Sequence, residues 1–198
     1  MGRQDETLDF YEKNAESFTS GTVLADMNDA RSRFLSRLPF PARILDFGCG
    51  SGRDTKAFLE AGYAVDAVDG SPKLCALASE YTGIPVRQML FEELAAENTY
   101  DGIWACASIL HLPKEELRQV LKKISAALKP GGTLYTSFKY GTFEGVRGGR
   151  YFTYFTEETL ADFWEEIQEL MSPETWITQD VRPGREKEEW LNLLAGRR

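Results

Sequence analysis

Residues 44–55 read ILDFGCGSGRDT: an apolar run, an acid, then glycines at 48, 50 and 52. No other stretch constrains the fold as much. A strand that breaks into glycines and then into a helix is a nucleotide-binding turn. Glycine permits the tight turn and lets the backbone approach a ligand closely. The dinucleotide fingerprint is G-x-G-x-x-G, and here its third glycine position holds Arg53. The pattern is instead D-x-G-x-G-x-G, with Asp46 at the strand end. An acid there repels a pyrophosphate and suits a ligand that carries an ammonium group. Asp69 ends the next predicted strand, where a carboxylate can accept both hydroxyls of a ribose.

Around this turn, strands and helices alternate. Leu8, Tyr11, Ala15 and Phe18 have helical spacing, so residues 5–18 read as an amphipathic helix, and residues 28–38 as a second that stops before Pro39. Strands are predicted at 43–47, 63–69, 84–90, 100–108 and 133–139. The helices between them are marked by Ser71-Pro72 at a start and by Gly62 and Gly83 at ends. Residues 156–171 read as a helix with Thr156 as cap and a core stripe of Leu160, Phe163, Trp164, Ile167 and Met171. Two last strands, 175–181 and 189–195, are joined by a short turn and must be antiparallel. The pattern predicts one doubly wound α/β domain over 1–198. Its parts are covering helices (1–38), a cofactor-binding core (42–138), a substrate-side loop (139–155) and a terminal helix and hairpin (156–198).

Bulk properties narrow the function. The net charge of −8 on 198 residues argues against a nucleic-acid binder, which usually carries a basic face. The longest uncharged run, 102–113, is too short to span a bilayer. The charged amino terminus lacks a signal-peptide core. Cys49, Cys75 and Cys106 are odd in number and lack paired metal spacing, so no metal site is expected and a reduced, cytoplasmic setting is.

The stretches LDFGCGSG, VDGSP, YDGIWACASILHL and LKPGGTLY, in this order and spacing over about residues 44–135, resemble the successive motifs of the class I S-adenosylmethionine-dependent methyltransferases. FYEKNAESF near the amino terminus is similar to the helix that covers the cofactor in that family. The compact length and GCGSGRDT resemble the small bacterial group that includes tellurite-resistance methyltransferases. The resemblance implies a Rossmann-like seven-stranded sheet of order 3-2-1-4-5-7-6, its last strand antiparallel. It also implies S-adenosylmethionine as cofactor and S-adenosylhomocysteine as product. By the same resemblance, the loop Gly48, Cys49, Gly50 and Gly52 lies against the methionine part. Asp69 holds the ribose with Ser71 nearby, Cys106 contacts the methionyl amine through backbone, and Tyr11 approaches from the covering helix. After the third strand the family often carries an acid for the adenine amino group. Leu90 stands there in this chain, so adenine is left to backbone groups near Leu90 and Phe91 and to apolar packing, with Glu92 as the alternative acid.

Methyl transfer from a sulfonium is an in-line displacement in which the protein mainly supplies alignment. A base is needed only for a protonated acceptor. His111, the only histidine, and Asp180 are the candidates; each has a competing structural role, loop positioning for His111 and a salt bridge for Asp180. The acceptor should sit outside the carboxyl ends of the strands, near Lys139, Tyr140, Arg150, Tyr151 and Arg182. Residues 139–155 carry Lys139, Arg147 and Arg150 against Glu144, a net +2. Residues 180–187 carry a net +1, which leaves −11 for the rest of the chain. That asymmetry points to a small anionic acceptor, or else to loop charges paired with neighbouring acids. The expected protein is a monomer or homodimer acting on a small molecule, without nucleic-acid or membrane partners. Two other readings stay open: a nicotinamide-dependent oxidoreductase, disfavoured by Asp46 and Arg53, and a non-catalytic sensor of the nucleoside.

Overall fold

The computed structural model describes residues 3–198, with side chains from residue 6 onward. In chain order the elements are α1 (Arg3–Thr22), α2 (Asn28–Leu35), β1 (Arg43–Phe47), α3 (Arg53–Glu60), β2 (Ala64–Asp69), α4 (Pro72–Thr82), β3 (Val86–Gln88), β4 (Tyr100–Ala105), α5 (Lys114–Ala127) and β5 (Leu128–Lys139). Then come β6 (Glu144–Arg147), β7 (Arg150–Thr153), α6 (Glu157–Trp164), β8 (Glu174–Gln179) and β9 (Glu189–Gly196).

The apolar runs become strands because both faces of the main sheet are covered. Alternate residues feed two cores. Leu45, Ile103 and Leu134 pack on one face with Leu117, Leu121 and Phe163. Ile44, Trp104 and Tyr135 pack on the other with Phe34 and Phe58. Trp104 and Tyr135 stack at 3.9 Å. Each such side chain, fully withdrawn from water, contributes about 1.5–3 kcal/mol before entropy is counted. The order is β3-β2-β1-β4-β5-β9-β8, parallel through β5 and antiparallel at β9, as the resemblance implied. The sixth and seventh sheet strands are β8 and β9, because 139–155 folds a separate hairpin, β6–β7.

Local signals fix several boundaries. The Ser71 hydroxyl accepts from the Leu74 amide, Pro72 starts α4, and Gly83 ends it at φ +79°. Thr156 caps α6. That helix is half the length expected. After Trp164 the chain leaves it, and Leu170 bridges Arg197 beside the end of β9. Met171, read as core, is consequently half exposed.

Candidate functional site

Along the carboxyl ends of the parallel strands lies a cavity of about 700 Å³. This is a volume suited to small ligands. Its floor is the glycine loop. Gly48 sits at φ +84°, and a Cβ there would stand 2.5 Å from the Ser108 Cβ, so the loop requires glycine before any ligand is considered. The Gly50 amide donates to an Asp69 oxygen at 2.9 Å, and the Ser71 amide to the other at 2.9 Å. Asp69 therefore ties the loop to the β2–α4 turn while its carboxylate still lines the cavity.

Asp46 is 2% exposed and accepts one hydrogen bond, 2.6 Å from the Thr55 hydroxyl. Desolvation, with the nearby Asp54 charge, pushes its carboxyl up to about 7. Asp54 behaves differently. Burial alone would raise it, but Arg53 and Arg31 hold it below the usual range, at 2.6 Å each, and the Trp104 indole donates at 3.0 Å. Arg53 also lies 3.7 Å from the Cys106 sulfur. Burial pushes that thiol up to about 12 and Cys49 well above its ordinary range, so both are neutral.

One wall comes from α1. Thr7, Leu8, Tyr11 and Phe18 line the cavity. The helix is latched at three points: the Thr7 hydroxyl accepts from the Tyr151 amide at 3.0 Å, Tyr11 meets His111 at 2.8 Å, and Glu12 accepts from the Ser71 hydroxyl at 2.6 Å. The opposite wall is the β6–β7 hairpin with the segment after β8. Arg150 lies over the rings of Phe10 and Phe152, and Arg147 over Phe143. No ion pair joins either arginine to a carboxylate among the described residues. Lys139 pairs with Glu188, and Arg182 with Asp180.

Most of the residues singled out from the sequence converge here. Tyr11, Asp46, Gly48, Cys49, Gly50, Asp69, Leu90, Phe91, Cys106, His111, Lys139, Tyr140, Arg150, Asp180 and Arg182 all line the cavity. Three do not. Ser71 is buried and committed to capping α4 and holding Glu12. Gly52 faces Ala78 and Thr82 of α4. Tyr151 points the other way, because β7 alternates: Arg150, Phe152 and then Tyr154 face the cavity, while the Tyr151 hydroxyl donates to Glu144. The Leu90 amide, expected to serve adenine, donates to Glu93 at 2.7 Å. Asp180 is fully engaged. Against its desolvation, hydrogen bonds from Arg182 and Trp190 hold it at about 2. Sequence reasoning missed Phe18, Arg53 and Trp190 as lining residues. The 3.6-residue phase shared by Leu8, Tyr11 and Phe18 was the available signal for Phe18.

A family model described as a methyltransferase domain matches residues 44–132. A ubiquinone biosynthesis O-methyltransferase of Xanthomonas campestris is 31% identical over 120 residues, which is 56% of this chain and 49% of that protein. The chain thus spans about half the length of the curated relatives it matches. The structure of Burkholderia thailandensis 1,6-didemethyltoxoflavin-N1-methyltransferase, with bound 1,6-didemethyltoxoflavin and S-adenosylhomocysteine, superposes with a TM-score of 0.75. Its identity is 27%, covering 98% of this chain and 86% of that one. A Methanosarcina mazei methyltransferase shares the fold at 18% identity and a TM-score of 0.69, covering 88% of this chain and 99% of that one.

Proposed function

We propose that this chain, which matches a methyltransferase-domain model over residues 44–132, is a class I S-adenosylmethionine-dependent methyltransferase that moves the cofactor's methyl group to a small anionic acceptor. The observation that carries the acceptor class is the pair Arg147 and Arg150, across the tip of the β6–β7 hairpin. Like charges directly opposite one another on a hairpin are destabilising. Here they stand at a cavity wall with no carboxylate partner among the described residues. A carboxylate or other oxyanion supplies what they lack.

The residues present fit the cofactor. A nearly isolated carboxyl such as Asp46, whose buried charge is disfavoured, is suited to an ammonium group. Asp69 keeps oxygen lone pairs for a ribose after its two loop amides. Leu74, Met89, Leu90 and Phe91 offer an apolar end for a base. When bound, the cofactor supplies an electrophilic methyl on a good leaving group. The chain's own work is alignment, exclusion of water by α1, and holding the acceptor's anionic group at the hairpin. Asp180 acts as the partner that orients Arg182, not as a base, because a carboxyl held near 2 has little proton affinity at neutral pH.

A labelled-methyl transfer screen over small carboxylic acids, oxyanions and amines tests the reading. Turnover should concentrate among anionic acceptors, and Arg147→Gln/Arg150→Gln should raise the acceptor KM at least tenfold while the affinity for S-adenosylhomocysteine holds. Equal turnover of neutral amines, or an unchanged KM, removes the anionic acceptor. Binding of NAD in place of S-adenosylhomocysteine removes the methyltransferase reading.

A further inference from the structure

The geometry points to Tyr11 as the group that receives the acceptor's proton, with His111 behind it as the proton's destination. The inference rests on the methyltransferase reading above and adds proton handling to it. His111 Nδ1 lies 2.6 Å from the Tyr151 carbonyl oxygen. A carbonyl only accepts, so Nδ1 carries the hydrogen. In the neutral ring Nε2 is then a lone pair, and it faces the Tyr11 hydroxyl at 2.8 Å. The Tyr11 proton must therefore point at His111. The phenol oxygen keeps two acceptor positions. The Arg150 guanidinium lies beside them, 5.8 Å from the centre of the Tyr11 ring. They are available to a donor in the cavity that Tyr11 lines.

An uncharged X–H group of the anionic acceptor can donate there. As its X–H bond breaks toward Tyr11 Oη, the Tyr11 O–H proton passes to His111 Nε2. The electron pair left on X forms the bond to the methyl carbon, and the pair of the broken sulfur–methyl bond stays on sulfur. The positive charge lost at sulfur reappears on the imidazole, so the charge within the cavity is conserved. The charged groups facing the pair are Arg150 of β7, Asp69 at the end of β2 and Arg182 after β8. Burial, and then Arg150, hold His111 down at about 4 in the absence of an anion. An anionic group seated against Arg150 cancels that field and raises the proton affinity of His111 as the acceptor arrives. Tyr11 is thus a catalytic residue, and His111 a positioning residue that acts through it.

The test exploits the chain's single histidine, whose imidazole gives one set of ¹⁵N resonances in protein free of any polyhistidine tag. The wild type should show the Nδ1–H tautomer. Tyr11→Phe should shift Nε2 and raise the His111 titration by about one pH unit, because a hydrogen bond to the neutral form is lost. With the acceptor found in the labelled-methyl screen, Tyr11→Phe and His111→Gln should each lower kcat about 100-fold, and together no further. Glutamine can still accept the Tyr11 hydrogen bond but cannot take the proton, so full kcat in His111→Gln leaves only a structural role. An Nε2–H tautomer, or an Nε2 resonance unmoved by Tyr11→Phe, overturns the inference without any acceptor in hand. Failure of the wild type to bind S-adenosylhomocysteine overturns the methyltransferase reading instead.

Discussion

Asp46 shows what a single buried side chain demands. Its carboxyl keeps a proton to about pH 7, whereas the unfolded chain releases it near 3.8. Between those values the native state binds more protons, so stability falls as pH rises, with the full penalty of about 4 kcal/mol present above pH 7. Asp46→Asn should therefore stabilise the ligand-free protein at pH 8 and hardly at all at pH 4, which thermal melts at both pH values will show. The same substitution should weaken S-adenosylhomocysteine binding. Asp54 is the opposite case, a buried acid already paired. Asp54→Asn leaves Arg31 and Arg53 without their carboxylate and should cost about 3–5 kcal/mol in urea unfolding. Both aspartates belong to the stretch that first indicated a nucleoside site, but only Asp46 was legible as a ligand group. The salt-bridge network of Asp54 depends on Arg31, 23 residues away, and no local pattern announces that.

At the scale of elements, α1 forms one wall of the cavity. Glu12 anchors it to the start of α4, with the Ser71 hydroxyl at 2.6 Å and the Lys73 amide at 3.2 Å. Glu12→Ala should speed dissociation of S-adenosylhomocysteine about tenfold in stopped-flow displacement and increase hydrogen exchange in α1, with little change elsewhere. The sequence foretold every strand of the main sheet because apolar runs and caps are local signals. It misjudged elements whose ends are set by distant partners. α6 stops early where residues after Trp164 turn to meet the end of β9. Residues 139–155, expected as a loop, instead fold the β6–β7 hairpin. Its phase, which sends Arg150 inward and Tyr151 outward, is settled by contacts with α1 and with the His111 turn.

For the whole molecule, ligand and fold are thermodynamically linked. S-Adenosylhomocysteine at 100 times its Kd should add about 2.7 kcal/mol. For a chain of this size that raises Tm by roughly 5–10 °C; NAD at the same concentration should leave Tm unchanged. The overall order of strands could be read in advance because the cofactor turn, alternation and crossover handedness leave few topologies. The acceptor end could not, since it is assembled from the β5 end, the hairpin and the segment after β8, which meet only in the finished fold. The latching of α1 has a consequence for how that fold is reached. Tyr11 and Thr7 dock on partners 100 and 144 residues further along the chain. Helix α1 is therefore made long before its docking partners, and the pocket closes only after β7 has been made. Such long-range closure slows folding, and it leaves the growing chain unable to enclose its ligand until most of the polypeptide exists.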